Sequence, residues 1–178
     1  MANWRISSAN GVLIAAYFIP SWVIVAFKII MSPIHGLYDR PNISVAIFLS
    51  DHFHLAALAT IRAAWLLALA KLTVAAFFAL FVALLTRPSI RTSGGCNEAL
   101  SIALALGSII SFASMLMASQ AGEMEAMRLH ATELLLLLGT GIVMLVERPT
   151  PVVMPVAEPA PRATRPLMTN YPHAAQNS

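Results

Sequence analysis

The chain offers few residues able to do chemistry, and most of them are histidines. His35, His52 and His54 lie in the first third, with Asp51 opening the run "DHFH". His130 and Glu133 lie three apart in "HATE", a spacing that puts both on one face of a helix. Histidine is the commonest metal ligand, so a bound metal or haem has to be weighed. A b-type haem takes two histidines from different helices, and His54 and His130 are the pair able to supply them. A di-iron bundle needs several inward carboxylates, more than the apolar stretches contain. There is no GxSxG, HExxH or P-loop motif, and Gly94 and Gly95 have no lysine behind them. Cys96 is the single cysteine, which excludes an intrachain disulfide and any CxxC motif. The expectation is a protein that is not an enzyme and binds no cofactor. A haem- or metal-binding redox protein using His54 and His130 is one alternative.

The elements that would position these residues follow from composition. Of 178 residues, 58% are hydrophobic and 11% charged. About a quarter of a soluble domain is charged, so an ordinary soluble domain is excluded. The apolar residues fall in four stretches, roughly 11–31, 63–85, 99–118 and 127–146. A helix of about 20 residues crosses the hydrocarbon layer and satisfies its own backbone groups there. The sequence therefore predicts an all-α integral membrane protein with four spanning helices, at 11–31, 56–85, 99–118 and 127–146. No alternating short segments suggest a transmembrane β-barrel. The first stretch, with Arg5 ahead of it, has some features of a signal peptide. Pro20, Trp22 and Lys28 leave no small-residue cleavage site, so it reads as a retained helix. The run at 43–49 is apolar but too short to span, and is expected at the interface or over the helix ends. Ser50 and Asp51 read as an N-cap for the second span.

From residue 149 the composition changes. Seven of the eleven prolines fall in the last thirty residues, so 149–178 is expected to be a disordered tail beyond a membrane domain at 1–148. The basic residues are scattered at helix ends and in the tail, which argues against a nucleic-acid partner and for a lipid bilayer. In a four-pass arrangement Arg5, Arg87, Arg91, Arg148, Arg162 and Arg165 share one side. Arg40 and Arg128 lie on the other, with Lys28 and Arg62 at helix ends there. This bias predicts both termini in the cytoplasm, in a bacterial inner membrane.

Two charges fall inside the second stretch. Arg62 and Lys71 are nine residues apart and point in opposite directions at about 100° per residue. Lys71 shares its face with Ala64, Ala68, Ala75 and Ala79, so it should turn inward. Arg62 shares its face with leucines, so it should turn outward beside Trp65. Lys71 lies about 12 Å below Ala63 and needs a partner there. Glu133 is expected at comparable depth, on a face with His130, Leu137, Gly141 and Met144. The predicted candidate site is thus a Lys71–Glu133 pair, direct or through water. In the third stretch Ala103, Gly107, Ser111, Ser114 and Ala118 form a small-residue packing face. The function expected from all this is that of an accessory or helix-packing subunit, self-associating or within a larger membrane complex. A transporter or channel component using Lys71 and Glu133 is the other alternative.

Overall fold

The computed structural model describes residues 6–87 and 95–147. Its helices are α1 (Ile6–Met31), α2 (Pro33–Leu37), α3 (Ile43–Phe53), α4 (Ala57–Leu85), α5 (Gly95–Ala121) and α6 (Met124–Val146). Helices α1, α4, α5 and α6 are each long and apolar enough to cross a membrane. The chain is an all-α, four-span helical bundle. The expected tail at 149–178 lies outside the described residues, as do Arg5, Arg91, Arg148, Arg162 and Arg165.

The spans overrun the apolar stretches at several ends. A helix stops where the backbone finds a cap, which need not be where side chains turn polar. The α5 to α6 turn shows such a stop. Gly122 has φ 72°, the Glu123 N–H bonds the Ala118 carbonyl, and the Gly122 N–H bonds that of Ser119. This paired closure needs a left-handed residue, which glycine supplies at least cost. Before α4 the expected cap is not formed. Ser50 and Asp51 belong to the last turn of α3, which closes when the left-handed His54 returns its N–H to the Ser50 carbonyl. Helix α4 starts after Ala56, without a side-chain cap. The apolar run at 43–49 simply carries its helix on through the two polar residues.

The four spans pack in a ring, α1 on α4, α4 on α5, α5 on α6 and α6 back on α1. The Ser7 N–H bonds the Glu147 carboxylate at 2.9 Å, so the start of α1 and the end of α6 share one end of the bundle. Helices α2 and α3 cover the opposite end, α2 against α1 and α4, and α3 against α5. Two apolar cores stack along the axis. Ile14, Phe18, Phe78, Phe81, Leu100 and Leu137 belong to the one toward the chain-terminal end. Ala26, Ile29, Leu37, Val45 and Ala68 belong to the other. Large side chains such as Leu66, Leu69, Leu135 and Ile142 point outward, as lipid-facing positions should.

Helix α2 lies very close to α1. A β-carbon at Gly36 would come within 2.6 Å of the Ile29 α-carbon. Only glycine admits this approach, and it brings the α2–α3 turn down into the mouth of the ring. Pro41 and Asn42 are carried inward with it, and Asn42 is fully buried.

Candidate functional site

Where the two apolar cores meet, the bundle holds a layer of polar side chains. Lys71 is 3% exposed and Glu133 7%. On α4, Lys71 falls between Ala68 of one core and Val74 of the other; on α1, Trp22 closes one core and Ala26 begins the next. Arg62 is exposed, and so is Trp65. The alanine face therefore carries Lys71 inward and the leucine face carries Arg62 outward.

Lys71 and Glu133, the pair expected to meet directly or through water, lie in the same buried layer without a direct ion pair. The Lys71 ammonium donates instead to the side-chain oxygen of Asn42 at 2.9 Å, and stands 5.6 Å from the centre of the Trp22 ring. A cation over an indole face is attracted by the ring's negative quadrupole. The Trp22 indole N–H then donates to Glu133 Oε1 at 3.2 Å. Trp22 thus links the two charges, taking the cation on its face and the carboxylate at its edge. The reason is geometric. The inserted α2–α3 turn offers Lys71 a neutral acceptor, while α1 and α5 offer Glu133 donors.

The other Glu133 oxygen meets His130 Nδ1 at 2.9 Å and receives the Ser111 hydroxyl at 3.4 Å. The second ring nitrogen of His130, Nε2, lies 3.1 Å from the Pro41 carbonyl. Asn42 is held from its other side, its amide group donating to the Gly36 carbonyl at 3.0 Å. Two sets of hydrogen bonds, joined by the Pro41–Asn42 peptide and by Lys71 over the Trp22 ring, therefore link α1, the α2–α3 turn, α4, α5 and α6. Ser44, in the first turn of α3, is fully buried, and its hydroxyl has no hydrogen-bond partner among the described residues.

His54 and His130 are not brought together. His54 is exposed at the C-terminus of α3, while His130 meets Pro41 just before that helix begins. The intervening 11 residues of α3 span about 16 Å. Both ring nitrogens of His130 are also already engaged. Among the described residues no three His, Cys, Asp or Glu side chains converge as a metal site. His52 stacks on Phe48, with ring centres 4.4 Å apart.

Nearer the membrane surface, Lys28 bonds Asp39 at 2.8 Å and holds its carboxyl below the usual carboxylate range. Arg40 and Glu125 approach to 3.6 Å, both well exposed.

The geometry can be set beside what is known of other proteins. The chain matches no family model, no characterised protein and no solved structure. Its own residues therefore carry the functional reading.

Three members of the cluster, Trp22, Asn42 and Pro41, lie outside the site predicted from sequence. Trp22 had a usable signal, since it shares a face with Phe18 and Ala26 at helical spacing. Asn42 had none, because a buried position for it depends on how deeply the turn is inserted.

Proposed function

We propose that this chain is a small accessory, helix-packing subunit of a bacterial inner-membrane assembly, with both termini in the cytoplasm. One observation carries the reading. The buried polar groups of the central layer, Lys71, Glu133, His130, Asn42 and Ser111, are partnered within the bundle, and an apolar layer of Phe18, Phe78, Phe81 and Leu137, all fully buried, lies between them and the chain-terminal end. A polar layer so enclosed fixes helix register and depth without opening a path across the bundle. The shared end of α1 and α6 is consistent with termini on one side, and the arginine bias favours the cytoplasm for them.

Three measurements test this. Vesicles carrying the protein should hold a pH gradient as well as empty ones. The protein extracted from its native membrane in mild detergent should run as a stoichiometric assembly larger than one chain. A reporter active only outside the cytoplasm should be silent at residue 178 and active in the Glu123 turn. A monomer that collapses the gradient would overturn the reading.

A transporter component using Lys71 and Glu133 is the second reading. It is favoured by one feature, the presence of His130, Glu133 and Lys71 together at membrane depth, where ionisable groups commonly mark ion or proton pathways. Collapse of the pH gradient, abolished by Glu133→Gln, would select it.

A further inference from the structure

The hydrogen bonds of His130 carry a proton count. A carbonyl oxygen can only accept, so the contact of Nε2 with the Pro41 carbonyl requires a proton on Nε2. The contact of Nδ1 with Glu133 Oε2 also needs a proton between the two atoms. If His130 is neutral, its single proton is already on Nε2. The second must then come from a protonated Glu133, or His130 must be an imidazolium. Either way the pair holds one proton more than a neutral imidazole and a free carboxylate.

We propose that His130 and Glu133 form a proton-binding site, loaded from the α2–α3 end of the bundle, whose occupancy holds the Pro41–Asn42 turn in place. The charged and polar groups around the pair are few. From α4 comes Lys71, and from α5 the Ser111 hydroxyl. From α1 come the Trp22 indole and Tyr17, close enough to feel the Glu133 charge. The α2–α3 turn presents the neutral Asn42 and the Pro41 carbonyl.

With the proton bound, the charge of Lys71 stands unbalanced in the layer. With it gone, Lys71 and Glu133 neutralise each other, but His130 loses one of its two hydrogen bonds. A lone pair on Nδ1 then faces a carboxylate oxygen, or a lone pair on Nε2 faces the Pro41 carbonyl. The second arrangement repels the turn. The bound proton and the docked turn therefore stabilise one another, and removing the proton at high pH favours release of the turn.

Access is given by a cleft of about 390 Å³ lined by Arg40, Pro41, Glu123 and Glu125, among others. Pro41 is shared between this cleft and His130, which makes the turn the short way from water to the site. In the other direction the apolar layer of Phe18, Phe78 and Leu137 intervenes. Uptake is a proton transfer alone. Water in the cleft delivers the proton to the imidazole or carboxylate, and no other bond is made or broken. The site goes beyond the accessory reading and holds whether or not the protein joins an assembly.

Trp22 donates directly to Glu133 and reports on its charge. The full chain with Trp4→Phe and Trp65→Phe leaves Trp22 as the sole tryptophan. Its emission is titrated in lipid vesicles between about pH 4 and pH 10, a window spanning the ordinary carboxyl and imidazole ranges. The expected result is a single-proton step that Glu133→Gln abolishes. Glutamine accepts from Trp22 and donates to Nδ1, with its second N–H turned to the Ser111 hydroxyl, so it keeps these contacts without the extra proton. Labelled ring nitrogens supply a second measurement that needs no substitution in the site. At the acid side of the step Nε2 of His130 should carry a proton, and Nδ1 should either carry one or accept the proton of Glu133. A pH jump on one side of the vesicle at a time should move Trp22 rapidly only from the α2–α3 side. The absence of any step, a step surviving in Glu133→Gln, an unprotonated Nε2 in the docked state, or equally fast response from the other side would each overturn the proposal.

Discussion

Lys71 reaches its acceptor on a residue that lies 29 positions earlier, the side-chain oxygen of Asn42, at 2.9 Å. A lysine in the middle of a spanning helix is thus satisfied by a turn inserted from the membrane surface. The arrangement makes the turn and the span depend on each other. Without Asn42 the ammonium loses its one hydrogen-bond acceptor among the described residues. Without Lys71 the inserted turn loses the charge that makes its depth favourable.

This dependence is measurable. Asn42→Leu should destabilise the protein by about 1.5–3 kcal/mol, the range for a hydrogen bond to a charged group. Combined with Lys71→Met, the loss should be well short of the sum, with a coupling of about 1–3 kcal/mol. The same cycle between Lys71→Met and Glu133→Leu should show weaker coupling, because Trp22 stands between the two side chains. Melting in detergent or in bilayers reads both cycles. Stronger coupling of Lys71 to Glu133 than to Asn42 would contradict the hydrogen-bond pattern.

Gly36 is a strict test of the inserted turn. Gly36→Ala places a methyl within 2.6 Å of α1 backbone, where no flexible side chain can yield. Overpacking of this kind costs about 1–3 kcal/mol. The loss should appear together with increased protease cleavage between residues 32 and 42. Gly139→Ala, where a β-carbon meets nothing within 4 Å, is the control and should be close to neutral.

Ser44→Ala should act in the opposite direction. The hydroxyl is buried without a partner, so folding strips its water and returns nothing. Removing it should leave stability unchanged or raise it by about 1 kcal/mol. A clear loss in melting temperature would show that the hydroxyl is bonded after all.

The Lys28–Asp39 pair predicts a small acid limb. The Asp39 carboxyl is held below its ordinary range chiefly by the Lys28 hydrogen bond. Its contribution is therefore present above the ordinary carboxylate pKa and fades as the pH falls through the lowered folded value. Both side chains are partly exposed, so the effect is below about 1 kcal/mol. Asp39→Asn should flatten this part of the stability profile, and added salt should shrink the difference between the two proteins.

The sequence made much of this legible, and its shortfalls have a common physical origin. The four spans could be read because lipid imposes length and hydropathy on a helix, and both are local properties. Helical spacing likewise separated the Lys71 face from the Arg62 face. The Asn42 acceptor of Lys71 could not be read, since charge alone names Glu133 as the complement. The choice of Asn42 depends on how far a polar turn descends between helices. That descent rests on Gly36 against Ile29, a contact between backbones with no side-chain pattern to announce it. The N-cap assigned to Ser50 and Asp51 failed because the same residue types also close a helix when a left-handed residue follows.

The clasp between the first and last spans bears on how the protein is made. Asn10 and Trp22 of α1 find their partners, Thr140 and Glu133, 130 and 111 residues later in the chain. At the pace of translation, about 5–20 residues per second, α1 waits roughly 5–25 s for α6. During that interval an indole N–H and a carboxamide lack the groups that finally satisfy them, while Lys71 can already use Asn42. The bundle is therefore assembled around an early α1–α4 half whose polar surface stays open to water, lipid headgroups or an insertion factor until the ribosome delivers α6.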